Sequence, residues 1–258
     1  MKRVEREAII ARLVASSGRV TVLDLSKRFD VSEVTIRNDL KDLEEKGVLV
    51  RTYGGATTRT NVHNDARRPA ASAHEDEKIA IAEIARERIM PGSWIFLGPG
   101  TTCLALANVL LDREVSVVTN NLPAALALAT NRKARVVVTG GIVGEAPAPY
   151  LYGESFEESM NDMVIDIAFL GVDGIDRNFG YSFVDTVESA VFTRVCKAAK
   201  HVVVITDASK FGETSFRGVR NLSVADEIIT CGALSSEYVE WCSEMDIQLT
   251  LAEISPTN

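Results

Sequence analysis

The sequence predicts an α/β protein in two parts: a small N-terminal winged helix-turn-helix domain, then a larger Rossmann-like domain built on a mainly parallel sheet. Three observations carry that prediction. The first 60 residues hold three stretches of helical apolar spacing, followed by a β-prone pair around a Gly-Gly turn. From residue 77 onward, short apolar β-rich runs alternate with helical patterns, as in parallel sheets covered on both faces. The charge also divides, with 12 Lys+Arg against 9 Asp+Glu in residues 1–60 and 16 against 27 in the remainder, for a total of −8. Segments of opposite sign suit different partners.

A chain of 258 residues accommodates a small domain and a medium one, and 46% hydrophobic with 25% charged residues is ordinary for a soluble globular protein. No run of eighteen apolar residues exists, so no membrane span is expected. The start, MKRVEREAII, lacks an apolar signal-peptide core, which points to the cytoplasm. Cys103, Cys196, Cys231 and Cys242 are scattered without CxxC spacing, and the three histidines do not join them. Reduced, buried thiols are expected, with no metal and no cofactor.

In residues 4–16, Ile10, Leu13 and Val14 fall at i, i+3 and i+4, which marks an amphipathic helix stopped by Gly18. Thr21 precedes a second helix through Val22, Leu25 and Phe29, with Asp24 completing an approximate capping box. "FDVS" breaks it, and Ser32 caps a third, in which Ile36, Leu40 and Leu43 face the core until Gly47. Two helices across so tight a turn form a helix-turn-helix. At 100° per residue, the face opposite that apolar stripe carries Val34, Arg37, Asn38 and Lys41, with Thr35 on its flank. These residue types suit a DNA groove. Val34 would meet a thymine methyl, Arg37 a guanine or phosphate, and Asn38 an adenine. Thr35 and Lys41 suit phosphates by type, and the capping Ser32 is counted with them among the DNA-binding residues. "VLVRTYGGA" predicts a two-stranded wing that sets Arg51 and Tyr53 beside the duplex. A three-helix module docking another protein is the bland alternative, opposed by the wing and the basic balance.

The string from Ser32 to Ala56, SxxTIRxDLxxLxxxGxxxRxYGGA, resembles the N-terminal signature of the DeoR-type bacterial transcriptional regulators. Members usually place two basic residues after the Thr-apolar pair; here Arg37 is followed by Asn38. The resemblance implies a winged helix-turn-helix over residues 1–57 that binds operator double-stranded DNA. Residues 58–76 have little apolar periodicity and read as a linker, whose Arg59, Arg67 and Arg68 are solvated or touch phosphates.

Residues 77–258 form the second domain. "SWIFLG", "VSVVTN", "ARVVVTGG", "IDIAFLGVDG", "HVVVITDAS", "DEIIT" and "DIQLTL" predict strands, with helical patterns such as "EKIAIAEIARERI" and "TTCLALANVLL" between them. In such sheets ligands bind beyond the carboxyl ends of strands, and polar residues gather there. "GPGTT" offers Gly98 and Gly100 for close backbone approach, Thr101 and Thr102 for hydroxyls, and a helix start for an anion. Thr119, Asn120 and Asn121 end the second strand, Gly140 and Gly141 the third, Asp173 the fourth, and Lys210 follows the fifth. Together they suit a phosphorylated sugar or polyol. GxGxxG and GxxxxGK[ST] are both missing, which argues against NAD and ATP. Each residue alone also fits an ordinary turn or surface charge.

Residues 77–230 resemble the sensor domain of the same regulators, whose fold is similar to ribose-5-phosphate isomerase. By that resemblance Gly98, Gly100, Thr101, Thr102 and Lys210 hold phosphate, while Asp173 and Glu188 face sugar hydroxyls. "DRNFGYSFVDTVE" contains no lysine to stand beside that acid, which favours binding over turnover. The expected function is therefore a regulator of a carbohydrate catabolic operon, a repressor that leaves its operator on binding a phosphorylated sugar or polyol. A homodimer or homotetramer is expected. An activator, or an isomerase-like enzyme with an appended helix-turn-helix, are the alternatives.

Overall fold

The computed structural model describes residues 3–17, 19–29, 31–45, 48–52, 55–57, 74–144 and 149–254. The chain divides into two compact units, residues 1–70 and 71–258.

The first unit contains α1 (Arg3–Ser17), β1 (Arg19–Thr21), α2 (Val22–Phe29), α3 (Glu33–Glu45), β2 (Val50–Thr52) and β3 (Gly55–Thr57). The periodic residues close one core: Ile10 and Val14 from α1, Val22 and Leu25 from α2, and Ile36, Leu40 and Leu43 from α3, joined by Leu49. Ser32 Oγ accepts a hydrogen bond from the Thr35 amide at 3.3 Å, which caps α3 as expected. The wing is three-stranded where two strands were expected. β3 lies between β1 and β2, antiparallel to both. Three residues are too few to declare β1 in the sequence; its pairing with β3 creates it.

The second unit begins with α4 (Glu75–Arg86), which starts inside the segment expected as linker. Glu75, Asp76 and Glu77 fill its first turn, where the helix dipole favours acids. A seven-stranded sheet follows from β4 (Trp94–Leu97), β5 (Val115–Thr119), β6 (Ala134–Val138), β9 (Ile167–Leu170), β12 (Val202–Ile205), β14 (Glu227–Cys231) and β15 (Gln248–Ala252). Its order is β15-β14-β12-β9-β4-β5-β6, and every pair is parallel. Successive side chains alternate between two cores. Ile95, Leu97, Val203 and Ile205 pack under α4, α5 (Thr101–Val109) and α6 (Leu122–Leu128). Phe96, Val202 and Val204 pack under α7 (Glu154–Ser159), α8 (Thr186–Ala198) and α9 (Ser236–Glu244).

Two small antiparallel sheets were not evident beforehand. β7 (Ile142–Val143) pairs with β8 (Leu151–Tyr152), and β10 (Gly174–Asp176), β11 (Gly180–Phe183) and β13 (Arg217–Val219) form a sheet in that order. All four cysteines are free, and burial raises the thiols of Cys103 and Cys196 to about 12 and Cys242 to about 11. No described helix is long and apolar enough to cross a membrane.

Candidate functional site

Each unit carries one candidate site. On α3 the burial alternates as the spacing demands. Ile36, Leu40 and Leu43 are buried, while Val34 (64% exposed), Arg37, Asn38 and Lys41 lie outward and Thr35 is half-buried. Ser32 is exposed, but its hydroxyl pairs with that of Thr35 at 2.9 Å as well as capping the helix. Arg51 lies in β2; Tyr53, with Arg59, Arg67 and Arg68, falls outside the described residues.

A tie between α1 and α3 was missed. Arg6 grips Asp39 with two guanidinium bonds, Nε to Oδ2 at 2.5 Å and Nη2 to Oδ1 at 3.1 Å, and both side chains are buried. Arg3 adds an ion pair to Asp42 and one to Glu7. The carboxylates of Asp39 and Asp42 are thus answered by α1. The cue was present, since Asp39 falls three residues after Ile36, on the buried stripe.

In the second unit the sheet changes direction of growth between β4 and β9. From β4 the chain builds outward through β5 and β6; from β9 it builds the other way through β12. The crevice beyond the carboxyl ends of two such strands is where open α/β sheets take ligands. Gly98 occupies it, its amide donating to Phe169 O at 3.0 Å. A Cβ there would come within 2.8 Å of Leu170 Cδ2 and 3.3 Å of Phe169 O, so a larger residue would require Leu170 to move and would crowd the two strand ends. Gly100 (φ 98°) turns the chain into α5, and Thr101 and Thr102 form the first turn, half-buried.

Thr119 and Asn121 were expected to face a ligand. Instead both are fully buried and spend their polar groups on the neighbouring loop. Asn121 Nδ2 donates to Gly98 O and Gly100 O at 3.1 Å each, while Thr119 Oγ1 donates to Leu97 O at 2.7 Å. They brace the GPGTT turn from behind. Asn120 Nδ2 donates to Leu151 O at 2.9 Å, and its Oδ1 is buried without a hydrogen bond among the described residues. Gly141 (φ 134°) backs onto β8, where a Cβ would meet Tyr152 O at 2.3 Å. Gly141 is therefore a packing position.

On the other side of the crevice, Gly171 follows β9 with Pro99 O 3.5 Å from where its Cβ would be. Asp173 is half-buried, and its Oδ2 accepts the Val184 amide at 2.9 Å. Glu188 lies in the first turn of α8, capped by Asp185, whose Oδ1 accepts the Glu188 amide at 2.8 Å. Lys210 ends a 3-10 turn that Asp207 caps beyond β12.

One residue of this neighbourhood escaped the sequence reading. Lys78, on α4, is buried at 7% exposure, and burial pulls its pKa below the ordinary lysine value. It interacts electrostatically with Asp207, which raises the pKa, and with Lys210, which lowers it further. Two ammonium groups therefore share one field. His74, Glu77 and Asp207 bring possible metal-ligand atoms within 4.8 Å of one another, with the ammonium groups of Lys78 and Lys210 in the same field.

Comparison with known proteins covers both units. A DeoR-like helix-turn-helix family model matches residues 6–62, and the model of the DeoR C terminal sensor domain matches residues 73–231. The glycerol-3-phosphate regulon repressor of Escherichia coli (strain K12) is 29% identical over 97% of this chain and 100% of its own length. The HTH-type transcriptional regulator GlpR of Haloferax volcanii is 31% identical over 93% of this chain and 94% of its own. Among solved structures, ribose 5-phosphate isomerase A from Methanocaldococcus jannaschii aligns with TM-score 0.41 and 20% identity, over 54% of this chain and 55% of that one. The full-length sorbitol operon regulator SorC from Klebsiella pneumoniae aligns with TM-score 0.36 and 13% identity, over 81% and 90%.

Proposed function

Since the chain belongs to the DeoR family of transcriptional regulators, with its helix-turn-helix and its sensor domain both present, we propose that a phosphorylated sugar or polyol binds at the β4/β9 crevice and releases the protein from its operator. The chain is a DNA-binding regulator of carbohydrate genes rather than an enzyme. In the proposed complex, the α5 start with Gly98, Gly100, Thr101 and Thr102 receives the phosphate, and Lys78 and Lys210 neutralise it. Asp173 and Glu188 accept hydrogen bonds from sugar hydroxyls. Thr119 and Asn121 act one step back, by fixing the loop. What supports this reading is the glycine turn where the sheet reverses its growth, together with Lys78 and Lys210, which share one field with Asp207 beyond the end of β12. A relative named for a phosphorylated polyol agrees with the ligand class.

For the DNA side, Arg37 and Asn38 read base edges, Val34 touches a thymine methyl, and Thr35, Lys41 and Ser32 contact phosphates. The protein works in the cytoplasm as a homodimer or homotetramer, which matches paired heads to paired half-sites. Releasing the operator by about 100-fold requires roughly 2.7 kcal/mol of coupling, within the usual allosteric range. Reciprocity then demands that operator DNA weaken effector binding by the same factor. Calorimetric titration of sugar phosphates into free and operator-bound protein tests this. Equal affinity in the two states, for a ligand that does bind, would refute the coupling.

A further inference from the structure

A second opening lies away from the β4/β9 crevice, on the opposite face of α8 from Glu188. It is a groove of about 430 Å³ between α8 and β13, a size that suits a small molecule. Thr186, Ser189, Thr193 and Lys197 line it at helical spacing from one side, and Arg217, Gly218 and Val219 from the other. Ser189 and Thr193 donate their hydroxyl protons to helix carbonyls at 2.9 and 2.8 Å, so the donors facing the groove are chiefly cationic. Glu157 and Arg194 also line the groove, but they answer each other at 3.3 Å, and Arg194 donates to Asn161 at 3.1 Å. Lys197 and Arg217 are exposed and have no ion pair among the described residues, within a domain whose acids outnumber its bases.

The backbone adds a further donor. β13 is an edge strand, paired only with β11. Ser182 turns its carbonyl toward the β10 side, where it accepts from Asp173 N at 3.0 Å, and Ser182 stands opposite Gly218. In an antiparallel ladder such a pair points its amides away from each other. The Gly218 N–H therefore leaves the sheet on the open edge, at a residue that lines the groove. A Cβ at 218 would come within 2.7 Å of the Phe179 ring, so a side chain there would require that ring to move.

We propose that this groove binds a small oxyanion, a phosphate or carboxylate group of a metabolite, through the Gly218 amide with Lys197 and Arg217. It is separate from the strand-end pocket and does not depend on it, although both abut α8. The test uses inorganic phosphate titrated into the full chain carrying Lys210→Ala, which removes a lysine from the other site, with the Gly218 amide followed by 1H–15N spectroscopy. A saturable shift of that amide is expected, and adding Lys197→Gln with Arg217→Gln should weaken it at least tenfold while leaving the melting temperature in place. If the amide does not move, or moves equally in the triple variant, the proposal is wrong. If phosphate binding is unchanged and the two substitutions instead alter the mass of the assembly, the groove is an interface between copies and the proposal also fails; a shift that saturates only at molar phosphate would mean an adventitious ion only.

Discussion

Lys78 shows how a single side chain links burial to pH. Its ammonium is disfavoured by desolvation, and a bound dianion would restore it. Effector affinity should therefore be full while Lys78 is protonated and should fall as pH rises through its folded-state pKa, which lies below the ordinary 10.5. Titrations in buffers of different ionisation enthalpy should show proton uptake over that window, and Lys78→Gln should abolish the uptake and weaken binding by at least about tenfold, or 1.4 kcal/mol. A pH-independent affinity would remove Lys78 from the pocket. On α3, Arg37→Ala should cost about 1–3 kcal/mol at the operator, measured by fluorescence anisotropy, with effector affinity unchanged. Gly98, Gly100, Thr101 and Thr102 were legible because a strand, a glycine turn and a helix start are local. Lys78 was not, because a helical lysine is normally solvated and only the packing of α4 within the second unit buries this one. Thr119 and Asn121 were legible as polar residues at a strand end. Which way they turn depends on the β4–β5 register, with Leu97 opposite Thr119.

At the scale of elements, α1 and α3 behave as one body because Arg6 and Asp39 are joined in a buried fork. Asp39→Ala leaves the Arg6 charge without its partner and should cost roughly 3–5 kcal/mol of stability in the first unit, read by urea unfolding. The apolar pair Arg6→Met with Asp39→Leu should recover most of that loss, since neither charge is then stranded. If Asp39→Ala unfolds at the same urea concentration as the parent, the fork is ornamental. The long elements were readable from period alone: α3, α4 and the seven parallel strands lie where the apolar spacing put them. Among the three-residue strands, the wing pair β2 and β3 was foreseen, but β1, β10 and β13 were not. β1, β10 and β13 carry no run long enough to show alternation; β1 and β13 exist because a partner distant in sequence offers a ladder, and β10 because β11 folds back on it.

For the whole molecule, charge and thiol chemistry set the conditions of activity. Operator affinity should fall steeply as salt rises, since the first 60 residues alone are basic and their contacts release counterions. The thiols raised to about 11 and 12 imply alkaline lability. From the ordinary 9.0 upward the unfolded chain loses those protons while the folded one keeps them, so stability falls with pH by up to about 1.4 kcal/mol per thiol per unit. Thermal melts between pH 7 and 10.5 should show the decline, and Cys103→Ala should make it shallower. A further consequence attaches to α4. The helix that carries Lys78 is the first described element after the stretch that joins the two units. A ligand that engages Lys78 would therefore act on the described element of the second unit nearest along the chain to the DNA-binding unit.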